Sequence, residues 1–228
     1  MNEASRLVAS GRDGDIYKYA PGLVLRRARG GQVIEHEARV MDYAAEHRYP
    51  VPRVHEVRAG GTEIVMERLD GPMMMDAMTR RPHTLLSNSR LLADLHDRLH
   101  EIPAPDWLPR VEPTGDRLLH LDLHPMNVML TSRGPVVIDW TNAATGAPLT
   151  DVAMTYVILK IARNPMPPVI RQIANRFRNQ MVKAFIARYP TPALNAAITY
   201  AAELKLLDPN LHPDEQQNCE SLIPGPSS

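Results

Sequence analysis

Leu119-His120-Leu121-Asp122-Leu123-His124-Pro125-Met126-Asn127, followed by Pro135-Val136-Val137-Ile138-Asp139-Trp140, decides the reading of this 228-residue chain. An Asp is followed five residues later by an Asn, and a β-prone apolar run then ends in a second Asp. The Asp-x-x-x-x-Asn step lets one tight loop present both side chains to one place. Thr131–Gly134 predicts a hairpin turn between Asn127–Leu130 and Pro135–Asp139, which returns the second Asp beside them. Phosphoryl transfer calls for such a set: a carboxylate to orient or deprotonate an acceptor hydroxyl, and hard oxygen ligands for Mg²⁺. From this chain's composition, His-x-Asp-x₄-Asn arises by chance in about two chains per hundred, so the pattern carries information.

Outward from this stretch the chain changes texture once. Before Gly71, β-prone runs at Ser5–Ser10, Asp15–Ala20, Leu23–Ala28, Val54–Arg58 and Glu63–Leu69 surround one helix from Gln32 to about His47, which stops before Pro50 and Pro52. Beyond Gly71, Leu85, Leu86, Leu92, Leu95 and Leu99 predict an amphipathic helix over Thr84–Glu101. Thr150 to about Leu207 reads as three helical segments broken near Pro165–Pro168 and Pro190–Pro192. This divides the chain into an N-terminal nucleotide-binding lobe (1–70), a C-terminal catalytic and acceptor lobe (71–212) and, with Pro213, Pro224 and Pro226, a disordered tail (213–228). A ligand is expected in the crevice between two such lobes.

The central motif resembles the catalytic core of the aminoglycoside phosphotransferases and choline kinase-type small-molecule kinases. In that family the pattern is His-Gly-Asp-x-x-x-x-Asn, then an apolar strand ending in Asp. The resemblance covers roughly Val8 to Leu159. It implies an α+β, two-lobed protein-kinase-like fold, with a small antiparallel-sheet N-lobe and a mainly helical C-lobe. It also implies ATP and Mg²⁺ as cofactors, Asp122 as the catalytic residue, Asn127 and Asp139 as metal ligands, and His120 as a brace of the loop. Leu121 stands where the family usually has Gly. The segment Thr141–Asp151 resembles the lead into a helix whose Asp, here Asp151, ties down the catalytic loop; Ala147 replaces an Asp common in the family.

A kinase-like N-lobe needs a loop over the phosphates, a cation on the third strand and a helix carboxylate to hold it. Ser10–Asp15, with Gly11 and Gly14, is the loop candidate, although an ordinary hairpin accounts for two glycines equally well. In Leu23-Val24-Leu25-Arg26-Arg27, strand alternation puts Val24 and Arg26 on one face and Leu25 and Arg27 on the other. Arg26 replaces the Lys of protein kinases. Glu37 shares the apolar stripe of Ile34, Met41 and Ala44, and a carboxylate on a buried face needs a partner, for which Arg26 is placed. Ile64-Val65-Met66-Glu67-Arg68-Leu69-Asp70-Gly71 resembles the family's hinge, where backbone groups, here the Glu67 carbonyl and the Leu69 amide beside Met66, read adenine.

The apolar fraction of 44% and charged fraction of 23% fit a globular protein, and zero net charge with few aromatics argues against a nucleic-acid partner. Cys219 is the single cysteine, which excludes an internal disulfide. Met1–Tyr17 has no sustained apolar core and no run of about 18 apolar residues exists, so no membrane association and a cytoplasmic address are expected. Val152–Ala202 carries Lys160, Arg163, Arg171, Arg176, Arg178, Lys183 and Arg188 and no acidic residue. A polycation would need carboxylates there, so the partner expected is a small hydroxylated acceptor that is neutral or anionic; a solvated outer helix face accounts for the basic residues equally well. A weakly catalytic binding module and nucleotidyl transfer are the alternatives; the oligomeric state is left open.

Overall fold

The computed structural model describes residues 6–11, 14–112, 114–163 and 166–224. The chain forms two compact units that interleave along its length. One comprises the residues up to Met73 together with Asn127–Ala143; the other comprises Met74–Met126 together with the residues from Ala144 onward.

The first unit is built on a five-stranded antiparallel sheet, β1 (Leu7–Ser10), β2 (Gly14–Ala20), β3 (Leu23–Ala28), β4 (Val54–Arg58) and β5 (Glu63–Glu67), in the order β1-β2-β3-β5-β4. Helix α1 (Glu35–Glu46) buries Glu37, Ala38, Val40, Met41 and Ala44, and Ile34 is buried just before it, so the expected stripe of Ile34, Glu37, Met41 and Ala44 faces inward. The hairpin of β7 (Val128–Thr131) and β8 (Gly134–Val137) belongs to this unit, whereas a contiguous division at 70/71 assigns it to the other. The reason lies in its bonding: Leu130 N donates to Pro72 O at 2.9 Å and Val137 N to Pro50 O at 2.8 Å. Gly71 permits this approach, since a Cβ there would stand 2.2 Å from Leu130 O. Trp140, fully buried, meets Tyr49 edge-on at 5.7 Å, an arrangement worth about 0.5–1.5 kcal/mol beyond area burial.

The second unit is helical. It contains α2 (Met74–Arg80), α3 (Leu85–Leu99), α4 (Pro148–Ile161), α5 (Pro168–Ile186), α6 (Thr191–Lys205) and α7 (Pro213–Glu220), with β6 (Arg117–Leu119) paired antiparallel to β9 (Ala144–Gly146). Leu92, Leu95, Leu99, Leu118, Leu123, Val157 and Phe185 form its core. No helix among the described residues is long and apolar enough to cross a membrane.

Helix α7 corrects the expectation of a disordered tail from 213. Pro213 sits at the first helical position, where its missing N–H costs nothing. His212 Nδ1 accepts the Asp214 amide and Glu215 bonds back to the His212 amide, closing a capping box. Asn218 donates to Ile161 O at 3.2 Å, and buried Cys219 contacts Ala202 O, so the helix docks on α4 and α6. Of the expected tail, residues 225–228 lie outside the described residues.

Candidate active site

In the second unit, the loop after β6 is anchored by Asp151, fully buried on the first turn of α4. Its Oδ1 accepts the Leu121 amide at 2.7 Å and its Oδ2 the His120 amide at 3.1 Å. Nε2 of His100, the residue that follows α3, stands 3.0 Å from the same Oδ2. Burial pushes the Asp151 carboxyl up, but the His100 hydrogen bond and the neighbouring imidazoles hold it well below the usual carboxylate range. Leu121 has φ +59°, a left-handed turn that costs a non-glycine residue about 1–2 kcal/mol. This is the position at which the family pattern has Gly.

The next residue is Asp122. Its amide donates to Nδ1 of the buried His120 at 3.2 Å. Its carboxylate is 23% exposed and lies 3.5 Å from His124 Nε2. Because His124 Nδ1 accepts the Met126 amide, the neutral ring carries its hydrogen on Nε2, facing Asp122. Leu123 O accepts the Thr155 hydroxyl at 2.8 Å, and Pro125 O accepts the Met75 amide at 3.1 Å. The loop is thus held by bonds from α2 and α4 while the Asp122 carboxylate keeps access to solvent.

Thr155 Oγ1 also lies 3.0 Å from His96 Nε2, and His96 Nδ1 lies 2.9 Å from Leu92 O. A neutral His96 that donates Nδ1–H to Leu92 O can only accept at Nε2, so the one Thr155 hydrogen serves Leu123 O or His96 at a time. Burial pushes the His96 imidazole down to about 4, so it is neutral at neutral pH. His96 on α3 and His100 directly after it therefore face Thr155 and Asp151 on α4, two pairs each four residues apart.

In the first unit, Asn127 and Asp139 flank the open end of the β7–β8 hairpin, where Ile138 N donates to Asn127 O at 3.0 Å. Asn127 is buried; the Asp139 side chain is 34% exposed, at φ +67°. Arg26 Nη2 stands 2.8 Å from Glu37 Oε1, the pairing expected from the sequence, and 3.9 Å from Asp139 Oδ1. Thr141 Oγ1 lies 2.9 Å from Glu37 Oε1 and 3.0 Å from Asp139 Oδ1; with one hydrogen it serves one carboxylate at a time. An open pocket of about 340 Å³, lined by Gln32, Val33, Ile34, His36, Glu37 and Thr141, adjoins this cluster. Among the described residues no group of three or more His, Cys, Asp or Glu could hold a metal. An amide oxygen and one accessible carboxylate fit an ion that takes its other ligands from phosphate and water, as Mg²⁺ does.

The other sequence-predicted residues also lie in this unit. Gly11 N donates to Gly14 O at 2.9 Å; Arg12 and Asp13, between them, lie outside the described residues. Gly14 has a packing reason of its own, since a Cβ would meet Arg27 O at 2.5 Å. Val24 is buried and pairs with Met66 across β3–β5, while Arg27 turns outward to Glu63 at 2.7 Å. The Glu67 carboxylate bonds Arg133 from the hairpin turn, and Leu69 follows β5. Two clusters are assembled: Arg26, Glu37 and Asp139 in one unit, His120, Asp122 and Asp151 in the other. Thr141, His100 and the Thr155–His96 pair were not read from the sequence. The four-residue spacings of His96 and His100 and of Asp151 and Thr155 were a local sign of the last two; Thr141 had none.

The model of the phosphotransferase enzyme family (APH) matches residues 6–115 and 81–193. The chain belongs to this family. Solved structures share the phosphotransferase fold at low identity. Aminoglycoside phosphotransferase APH(4)-Ia, in a ternary complex with AMP-PNP and hygromycin B, superposes with a TM-score of 0.67 at 17% identity, over 95% of this chain and 92% of that one. A choline/ethanolamine kinase family protein from Mesorhizobium loti gives 0.60 at 15%, over 95% and 87%. APH(2'')-IIa, in a streptomycin–ATP ternary complex, gives 0.59 at 14%, over 95% and 90%. None of the curated proteins matches the sequence significantly. The phosphotransferase fold is that of the protein-kinase-like enzymes: an antiparallel five-stranded sheet followed by a helical part.

Proposed function

We propose that this phosphotransferase moves the γ-phosphoryl of ATP to a hydroxyl of a small molecule that is not a polycation. The observation that carries the reading is the connected Arg26–Glu37–Thr141–Asp139 cluster, with Asn127 at the same end of the hairpin. Nucleotide complexes of the fold neighbours, with AMP-PNP and with ATP, support ATP as donor.

Bound Mg²⁺·ATP supplies the phosphoryl group, with the ion offsetting charge on its oxygens. Asn127 Oδ1 and the Asp139 carboxylate present hard oxygens to the ion. Arg26, fixed by Glu37, offers a planar guanidinium fork to phosphate oxygens. Asp122, five residues before Asn127 on one loop, orients the acceptor hydroxyl and takes its proton. His120, Asp151 and His100 hold the backbone that aims it. Glu67 and Leu69 present backbone groups to the adenine beside Val24 and Met66, and Gly11 and Gly14 form the turn over the phosphates. The absence of any Asp or Glu from Val152 to Ala202 argues for a neutral or anionic acceptor.

Asp122→Ala tests the role of the base. Turnover of an accepted substrate should fall by about 10²–10⁴ while ATP affinity stays within a few-fold. Unchanged turnover would remove Asp122 from the chemistry.

A further inference from the structure

Asp139 adopts a left-handed backbone, φ +67°, which an Asp tolerates better than most residues, and Trp140 follows it. Trp140 is fully buried and donates its indole N–H to Val137 O at 3.2 Å, while Ala143 N donates to Trp140 O at 3.3 Å. The backbone on either side of this anchor is pinned, and its two neighbours meet: the Thr141 hydroxyl lies 3.0 Å from Asp139 Oδ1. Four polar atoms then close a ring. Arg26 Nη2, Glu37 Oε1, Thr141 Oγ1 and Asp139 Oδ1 follow one another at 2.8, 2.9 and 3.0 Å, and the last edge, Asp139 Oδ1 to Arg26 Nη2, is 3.9 Å. Three edges have hydrogen-bond length and the fourth does not. Glu37 therefore keeps a charged donor whichever way the hydroxyl turns. Among the described residues Asp139 accepts a hydrogen bond from Thr141 alone.

Glu37 is buried and the Asp139 side chain is 34% exposed, so one hydroxyl joins a buried carboxylate to an accessible one. We propose that Thr141 is a positioning residue for Asp139: its hydroxyl orients the carboxylate for Mg²⁺ and ties it to the Arg26–Glu37 pair. This rests on the phosphotransferase reading above. A hydroxyl with one hydrogen gives it to the acceptor whose charge is less well met. In the nucleotide-free chain that acceptor is Asp139, because Arg26 already serves Glu37 with a charge-assisted bond. Once a cation offsets the Asp139 charge, the hydroxyl turns to Glu37 Oε1, 2.9 Å away, and its hydrogen is never stranded. The Asp139 carboxylate is thereby fixed before the ion arrives, which lowers the ordering cost of binding.

The test is calorimetric titration of ATP, with and without Mg²⁺, into the full chain and its Thr141→Val and Thr141→Ser variants. Valine keeps the branched shape and loses the hydroxyl; serine keeps the hydroxyl. Thr141 is exposed, so neither change removes core packing. Thr141→Val should cut the affinity gained from Mg²⁺ about tenfold, the effect of one lost bond to a charged acceptor, with Mg²⁺-free affinity within about twofold. Thr141→Ser should keep that gain within about threefold of the wild type. A ligand-free reading comes from urea denaturation: Thr141→Val should lower the midpoint by more in the wild type than in Asp139→Ala, because the two side chains share a bond. An undiminished Mg²⁺ gain in Thr141→Val, an equal loss with and without Mg²⁺, no recovery in Thr141→Ser, or equal midpoint shifts in both backgrounds overturns the role. In each of these cases Mg²⁺-dependent binding by the wild type leaves the phosphotransferase reading standing. A wild type that binds no ATP would overturn that reading, and this role with it.

Discussion

Asp151 Oδ1 accepts the backbone amide of Leu121 at 2.7 Å, across thirty residues of chain, and Leu121 makes that bond from a left-handed conformation with φ +59°. The turn swings two successive amides onto one buried carboxylate and leaves Asp122 at its end. Strain of this kind persists only where the surroundings over-determine it, and here α3, α4 and the His120 ring all do.

Leu121→Gly and Leu121→Ala separate strain from packing, since both remove the half-buried isobutyl group and only glycine relieves the backbone. The Gly variant should be more stable than the Ala variant by about 1 kcal/mol in urea denaturation. Equal stabilities would mean that the left-handed turn is not strained.

Glu37→Gln should cost about 3 kcal/mol of stability, because it leaves the Arg26 guanidinium, whose side chain is 14% exposed, without its close counter-charge. ATP affinity and turnover should fall with it. Thermal unfolding together with nucleotide titration checks both; a variant with wild-type stability and nucleotide affinity would show that the ion pair has no part in holding Arg26.

The elements legible in the sequence were those with a strong local period. Leu23–Ala28 and Val54–Arg58 are strands with the bounds read from alternation and flanking turns, and the Glu37 stripe on α1 was visible from residues four and seven apart. Helix α2 was hidden because Met73–Met75 gives no 3.6-residue pattern over only seven residues. In α7 the prolines suggested a tail, while its stability comes from a histidine capping box and two contacts to α4 and α6. The site split the same way. Asp122, Asn127 and Asp139 stand on one short motif, whereas Thr141 meets Glu37 across 104 residues and His100 meets Asp151 across 51, separations at which no local pattern operates.

Stability should depend on pH through the buried α3–α4 contacts. His96 is held near 4 when folded against about 6.5 in the unfolded chain, so between those values the unfolded state binds the extra proton. The folded state is therefore favoured fully above pH 6.5 and loses on the order of 3 kcal/mol as pH falls towards 4. Asp151, depressed when folded, begins to add to the loss only below its unfolded value of 3.8. Urea denaturation at pH 7.5, 5.5 and 4.5 reads the slope, and His96→Gln should flatten it. An unflattened slope in that variant would assign the effect to other groups.

The most direct test of the central claim is calorimetric titration of ATP, with and without Mg²⁺, into the wild type and Asp139→Asn. The account predicts Mg²⁺-dependent binding in the wild type and loss of that dependence in the variant. Absence of ATP binding under every condition, or Mg²⁺-dependent binding that Asp139→Asn leaves intact, would contradict it.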